Sequence, residues 1–374
     1  MSRLAYTPPI SVALVHDYLT QTGGAERLVL QLALAYPDAP IYTSVYDPGG
    51  TFAEFRDLDV RAPAGWLILP RAFRFYAPIF PLVFSSLDLS RFDTVVVSSS
   101  AFAHHVRHPR AFVYCHTPPR FLYRPLSYGE GRLRRMAAGS PAALVRHLDR
   151  RAAARAVSYA ANSRATQRRI LDTYSRTARL IYPPVATAHL PAHPQPMPER
   201  PQALVVSRLL PYKHVEVAVR AAVQAEIPIR VVGEGPEREA LERLASSGVE
   251  FLGRVDDSQM AGLFTEASVV LAPGAEDFGF APVEAHWSGR PVISIGAGGA
   301  LETVVHGQDG LLLPDLQVAT WADALRRIHG MTWSPSDLRS AAEPFRFDAF
   351  LHQLQAWVAE PDASAPSAEV QGGW

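Results

Sequence analysis

The chain has 374 residues, 48% of them hydrophobic and 19% charged, with no net formal charge. That composition is ordinary for a globular protein with sizeable cores, and the length suits two domains. A single cysteine, Cys115, excludes an internal disulfide and fits a reducing compartment. The charge is uneven: residues 1–200 carry 24 Lys+Arg against 13 Asp+Glu, and residues 201–374 carry 12 against 23. A basic first half suits an anionic partner such as phosphate, a membrane surface or nucleic acid, and a solvated basic face is the equal alternative. No predominantly apolar run reaches the ~18 residues of a spanning helix, and Met1 to Ile10 holds no signal-type apolar core. The nearest approach, Trp66 to Phe84, is broken by Pro70, Pro78, Pro81, Arg71 and Arg74. It reads as core or cleft lining, with a membrane interface as the second reading.

In chain order, the first strand candidate is Ser11–His16, followed by Gln21-Thr22-Gly23-Gly24-Ala25-Glu26-Arg27 and a helical pattern over Ala25–Ala35. A Gly-Gly turn between strand and helix lets backbone N–H groups approach a phosphate, and it serves equally as a plain turn. It is neither G-x-G-x-x-G nor a Walker A sequence, so neither a dinucleotide nor ATP hydrolysis follows. Ile41–Tyr46 is the next strand. Asp57-Leu58-Asp59 has the spacing of a paired-carboxylate cation site but lies in a charged stretch without strand signals, which favours a solvated loop. After the strand Thr94–Ser98, His104, His105 and His108 lack a second ligand cluster at zinc-like spacing, so no metal site is expected. The strand Ala111–His116 ends at His116, before a Thr117-Pro118-Pro119 corner. A histidine there orients a substrate hydroxyl, shuttles a proton, or is simply structural. A helix over Ala142–Ala156, a strand Ser158–Asn162, a helix Arg164–Tyr174 and a strand Leu180–Tyr182 complete the half.

From Pro183 to Pro201 there are seven prolines, which reads as an extended linker. The boundaries drawn are residues 1–189, 190–345 and 346–374, the last a C-terminal helix and an Ala/Ser/Gly/Pro-rich tail expected to be disordered. In the second half, strands over Ala203–Ser207, Ile229–Gly233, Val249–Leu252, Val269–Ala272 and Val292–Ile295 alternate with helices near Val215–Gln224, Pro236–Ser246, Gln259–Glu266, Ala281–Ser288 and Leu301–Val305. Near-continuous apolar strands alternating with helices predict an α/β chain of two Rossmann-like domains facing across a cleft, with ligands at the carboxyl ends of the strands.

Three motifs fall at those ends. Arg208 and Lys213 lie five apart after the strand Ala203–Ser207, and Lys213 is the chain's only lysine. Arginine supplies every other basic charge, so lysine here either is incidental or marks a place for a compact, mobile charge facing phosphate. Gly233-Glu234-Gly235-Pro236 forms a tight corner read mainly as architecture. Glu276-Asp277-Phe278-Gly279-Phe280-Ala281-Pro282-Val283-Glu284 sets two glutamates eight apart around a glycine. Carboxylates accept hydrogen bonds from vicinal hydroxyls, although Pro282 at a first helical turn also permits Glu284 to serve the helix dipole.

Taken together, these residues resemble the retaining glycosyltransferases of the GT-B fold, family 4, over most of the chain from His16 to about Leu313. Tyr114-Cys115-His116-Thr117-Pro118-Pro119-Arg120, Tyr182-Pro183-Pro184-Val185 and the Gly23-Gly24 turn are similar to a bacterial subgroup of mannosyltransferases building surface polysaccharide on a polyprenyl diphosphate. The resemblance implies that Arg208 and Lys213 face the donor diphosphate, Glu276 the donor sugar and Glu284 the ribose. It places Phe278, Gly279 and Phe280 along the sugar, Arg254 and Val255 near the base, and His116 and Gly23-Gly24 on the N-terminal side. It implies a GDP-mannose donor as co-substrate, no cofactor and no metal, and a lipid-linked glycan acceptor. It further implies a cytoplasmic protein in peripheral contact with the inner membrane face through its basic half, and no nucleic acid partner. A UDP-sugar donor, a sugar-nucleotide epimerase and a non-catalytic nucleotide-sugar binder are the alternatives.

Overall fold

Short runs of Val, Ile, Leu and Ala, buried on both sides, pair into two wholly parallel sheets. The computed structural model describes residues 11–63, 76, 79–123, 140–185, 187 and 190–360. Most of Trp66–Phe84 and all of the tail from Pro361 lie outside the described residues.

The first sheet holds seven strands: β1 (Val12–His16), β2 (Ile41–Thr43), β3 (Val60–Arg61), β4 (Thr94–Ser99), β5 (Ala111–Cys115), β6 (Ser158–Ala161) and β7 (Arg179–Leu180). Their order is β3-β2-β1-β4-β5-β6-β7. Helices α1 (Gly24–Ala35), α2 (Phe80–Ser85), α3 (Arg120–Tyr123), α4 (Ser140–Ala153) and α5 (Arg164–Tyr174) connect them. Strand β3 was not expected; Asp59 precedes it and pairs with Arg61, so the Asp57-Leu58-Asp59 stretch does adjoin a strand.

The second sheet holds β8 (Ala203–Val206), β9 (Ile229–Val232), β10 (Val249–Gly253), β11 (Val269–Ala272), β12 (Val292–Ile295) and β13 (Gly310–Leu313), in the order β10-β9-β8-β11-β12-β13. Its helices are α6 (Val215–Ala225), α7 (Arg238–Glu242), α8 (Asp257–Glu266), α9 (Phe280–Trp287), α10 (Ala300–Thr303), α11 (Val318–His329) and α12 (Pro335–Ala342), before α13 (Phe347–Ala359). In both sheets the strand order reverses next to the first strand, between β1 and β4 and between β8 and β11. A doubly wound sheet opens a crevice at that switch point, beyond the strand carboxyl ends.

The chain divides at Ile181/Tyr182 rather than near residue 190. One compact unit ends at Ile181 and takes back the chain from Leu351; the other runs from Tyr182 to Phe350 together with Ser163–Ala165. The proline-rich segment is therefore not a free linker. Val185 and Leu190 are buried in the second unit's core, and Val185 N–H donates to the Phe345 carbonyl at 2.9 Å. Arg290, wholly buried, donates to the carbonyls of Gln195 (2.9 Å) and Pro196 (3.0 Å) as well as Phe264 (3.0 Å). Prolines leave their carbonyls without neighbouring N–H donors, and a guanidinium with five donors satisfies several at once. Burial lowers the Arg290 pKa to about 10. The last helix, α13, serves the first unit: Trp357 packs edge-on against Phe112 at 5.3 Å and its indole N–H donates to Ser158 Oγ at 2.8 Å.

Candidate functional site

At the switch point of the second sheet, the loops after β8 and β11 lie side by side. The loop after β8 carries Arg208 and then a single 3-10 turn, Pro211–Lys213. It is anchored by Leu209 N–H donating to the Glu234 carbonyl (2.9 Å) and Glu237 N–H donating to the Leu209 carbonyl (3.1 Å). A side chain at Gly233 or Gly235 would collide with the carbonyl oxygens of Ser207 and Leu209. The Gly233–Gly235 corner is thus the seat of the Arg208 loop, as architecture.

The loop after β11 begins at Gly274, where an added Cβ would stand 3.1 Å from Lys213 Cα. That closeness brings Lys213 Nζ into direct contact with Glu276 Oε1 as a hydrogen-bonded ion pair. Lys213 is buried and Glu276 about one-third exposed, so the pair lies at the wall of the site and not in open solvent. The Lys213 ammonium also sits 5.1 Å from the Tyr212 ring centroid, and Arg208 donates to Tyr212 Oη at 3.2 Å. Tyr212 therefore links the two cations, and Arg208 itself is exposed.

Gly298 and Gly299, which the sequence reading did not single out, form the floor beneath Glu276. Gly299 N–H donates to the Glu276 carbonyl at 3.0 Å. A side chain at Gly298 would strike that carbonyl oxygen, and one at Gly299 would strike the Phe278 carbonyl oxygen. Gly279, at φ 87°, turns the chain into α9. With α9 beginning at Phe280, Pro282 lies in its first turn as expected, and Glu284, the fifth helical residue, falls just past that turn, buried, with 7% of its surface exposed. The helix-dipole reading of Glu284 is corrected accordingly.

The ring of Phe278 is packed inside the protein. It is 2% exposed and packs against Phe280, Phe345 and Tyr182 at 5.4, 5.4 and 6.0 Å. Burial of such a ring is worth roughly 1.5–3 kcal/mol and fixes the loop that carries Glu276. Arg254 is exposed, 3.6 Å from Glu234 Oε2, and the half-buried Val255 packs against the core.

The first unit places its polar residues differently. His16 ends β1 and Ser98 lies beside it in register on β4, at the switch point. His16 Nδ1 lies 3.2 Å from the Ser98 carbonyl oxygen and 3.1 Å from Ser98 Oγ, and Ser98 Oγ lies 2.8 Å from His116 Nε2. His116 follows β5; its N–H donates to the Ser99 carbonyl (2.9 Å) and its carbonyl accepts from Thr166 Oγ1 (3.0 Å). Behind His16, the Glu26 carboxylate stands 3.8 Å from Nε2 and accepts from Gln21 Nε2 at 3.0 Å. Gly23 caps α1 and Gly24 begins it, and Glu26 Oε2 lies directly beneath Gly23. The neighbouring Asp17 accepts backbone N–H bonds from Ala101 (2.9 Å), Phe102 (2.8 Å) and Ala103 (2.7 Å), clamping the loop after β4 to the end of β1.

Two of the three histidines, His104 and His105 but not His108, meet a buried carboxylate. Asp149 on α4, wholly buried, lies 3.1 Å from both His104 Nε2 and His105 Nε2. Its second oxygen accepts from Tyr123 Oη at 2.9 Å and Tyr174 Oη at 3.0 Å. These groups could in principle ligate a metal, their ligand atoms lying within 4.8 Å of one another. Donors reach both Asp149 oxygens, His105 on one and Tyr123 and Tyr174 on the other, while His104 Nε2 makes no hydrogen bond. Burial alone would raise the Asp149 pKa, but the two histidines hold it well below the usual carboxylate range. Burial pushes His105 down, against the pull of Asp149.

The family described as Glycosyltransferase Family 4 matches residues 22–189, and the one described as Glycosyl transferases group 1 matches residues 200–330. The alpha-1,3/1,6-mannosyltransferase ALG2 of Rhizomucor pusillus is 26% identical, over 97% of this chain and 94% of the relative. ALG2 of Homo sapiens is 27% identical over 82% of this chain and 84% of its own length. Among solved structures, Anabaena Alr3699/HepE in complex with UDP superposes with a TM-score of 0.71 at 19% identity, covering 94% of this chain and all of that one. The same protein has been crystallised with UDP and glucose. The superposition establishes the fold as two parallel-sheet α/β domains of the GT-B type.

Proposed function

The chain belongs to the family 4, group 1 glycosyltransferases, and from that premise we propose that it moves a mannosyl group from GDP-mannose to a lipid-linked glycan, with retention at the anomeric carbon. The observation that carries this reading is the contact of Lys213 with Glu276 at the switch point of the second sheet, with Arg208 joined through Tyr212. A cation beside a carboxylate there suits a diphosphate next to a sugar. On donor binding, Lys213 and Arg208 take the diphosphate oxygens and Glu276 accepts from sugar hydroxyls. The bond between the anomeric carbon and the phosphate oxygen breaks as the acceptor oxygen attacks from the same face, and the acceptor proton passes to the departing diphosphate. Fixed cations aimed at that developing charge lower the barrier without reorganising. No protein nucleophile enters the scheme.

The choice of mannose is supported by the names of the relatives, both mannosyltransferases. A uridine donor is favoured instead by the UDP bound in HepE. Among the described residues no helix is long and apolar enough to cross a membrane. The exposed Leu144 and Leu148, one turn apart on the arginine-bearing α4, support peripheral contact with a lipid surface that presents the acceptor. A thermal-shift panel of nucleotide sugars tests the donor. A selective rise with GDP-mannose is expected, and a rise confined to UDP-glucose would reassign it.

A further inference from the structure

Inside the first unit, His104 and His105 on the turn after β4 and Asp149 on α4 bring three ligand atoms together. Asp149 Oδ1 lies 3.1 Å from His104 Nε2 and 3.1 Å from His105 Nε2, and all three side chains are buried. The contact with His105 is a hydrogen bond, whereas His104 Nε2 is buried without a partner. A nitrogen that close to a carboxylate oxygen, with no hydrogen bond joining them, sets two lone pairs face to face or leaves an N–H misdirected. Either is costly in a dry interior. A cation among the three atoms turns that conflict into attraction. Donor atoms around a tetrahedral zinc, at bonds of about 2.0–2.1 Å, lie roughly 3.3 Å apart, close to both separations seen here.

Charge points the same way. A wholly buried carboxylate needs a positive partner. Among the described residues the ion-pair partners of Asp149 are these two histidines, and no lysine or arginine pairs with it. Two imidazoles and one carboxylate are a donor set that suits zinc. The outer partners are also in place. Asp149 Oδ2 accepts from Tyr123 Oη on α3 (2.9 Å) and Tyr174 Oη on α5 (3.0 Å), and His104 Nδ1 lies 3.3 Å from Ser99 Oγ. Such partners fix a carboxylate and a ring with one ligand atom facing the ion. His108 takes no part, its Nε2 lying 2.9 Å from the Phe92 carbonyl oxygen. The sequence conceals the set because Asp149 follows His105 by 44 residues.

We propose that His104, His105 and Asp149 bind a structural Zn2+ ion, with a water as fourth ligand, that ties the turn after β4 to α4. The ion takes no part in transfer, and the proposal does not rest on the donor reading.

The test uses the untagged full chain. Its zinc is counted by elemental mass spectrometry, the protein is stripped with a chelator, and Zn2+ or Co2+ is returned near neutral pH, where imidazole is free to ligate. About one zinc per chain is expected, with a melting temperature raised by about 5 °C or more on its return. Co2+ is expected to give the strong visible absorption of a four-coordinate ion. His104→Gln, which has no hydrogen bond at Nε2 to lose, should fold and bind zinc at least ~100-fold more weakly. Tyr174→Phe, which loosens the carboxylate alone, should weaken zinc about tenfold. A stripped wild type that neither takes up zinc nor melts higher with it would overturn the proposal. So would zinc held by His104→Gln as tightly as by the wild type, which would place the ion at surface histidines. Should His104→Gln not fold, the wild-type Co2+ spectrum decides, and the weak absorption of an octahedral ion would overturn the site. Failure of GDP-mannose to bind would leave all of these outcomes where they stand, so the two readings fail separately.

Discussion

The two switch points are built from opposite materials. In the second unit, glycines bring backbone against backbone: Gly233 and Gly235 seat the Arg208 loop, while Gly274, Gly298 and Gly299 seat the Glu276 loop. The chemistry there sits on loops, and the charges meet at a partly open wall. In the first unit, polar side chains stand at the strand ends, with His16 on β1, Ser98 on β4 and Glu26 on α1 all buried and Asp17 closing the loop after β4. One arrangement positions charges by removing side chains. The other positions a ring by adding hydrogen bonds. Glycine floors suit a ligand that must lie close to the backbone, whereas a buried polar line fixes the orientation of its side chains.

That contrast can be broken most severely at Gly299. Gly299→Val would drive a side chain into the Phe278 carbonyl and shift the Glu276 loop, and is expected to cost transfer ~100-fold or more. Gly262→Ala in α8, where nothing lies within 4 Å, serves as its control and should leave turnover unchanged. Equal losses in both would show that the floor has no special role. Next in size, Asp149→Ala strips the hub under His104 and His105. Breaking such a buried arrangement is expected to cost roughly 3–5 kcal/mol in chemical denaturation while leaving donor affinity in the second unit intact.

Smaller still, Glu284→Gln should weaken donor binding about tenfold, as one charge-assisted hydrogen bond to a hydroxyl is lost. An unchanged donor KM would remove Glu284 from the site. The smallest effect is acid sensitivity. His105 resists protonation when folded, so its contribution is complete above the ordinary histidine value of about 6.5 and declines as pH falls below it. Asp149, held low, loses its own contribution only further down, below about pH 4. Melting temperature should therefore drop between pH 7 and pH 5 more in the wild type than in His105→Gln. Parallel profiles would contradict it.

The same contrast explains what the sequence disclosed. Lys213 and Glu276, which meet in the structure, stood out in the sequence because they follow apolar strands, and β11 and β12 have the expected bounds. Gly298 and Gly299 could not, since their role appears only when β12 is set beside β11. Pro282 does fall in the first turn, but the left-handed Gly279 starts α9 at Phe280, one residue before the expected Ala281, which leaves Glu284 just past that turn. In the first unit, Ser98 reads as an ordinary strand residue until parallel pairing aligns it with His16. Asp149 sits among Arg146, His147, Arg150 and Arg151, a sequence that looks like a solvated helix face. Its burial depends on His104 and His105, more than forty residues away. Prolines from 183 to 201 suggested an open linker because the buried guanidinium that holds the Gln195 and Pro196 carbonyls lies at residue 290.

The central claim, that Lys213 serves the diphosphate and Glu276 the sugar of one bound donor, is tested most directly by calorimetric titration of GDP and GDP-mannose into the wild type, Lys213→Ala and Glu276→Ala. Lys213→Ala should weaken both ligands, while Glu276→Ala should weaken GDP-mannose and leave GDP unchanged. Wild-type affinity for GDP-mannose in both folded variants would contradict the account.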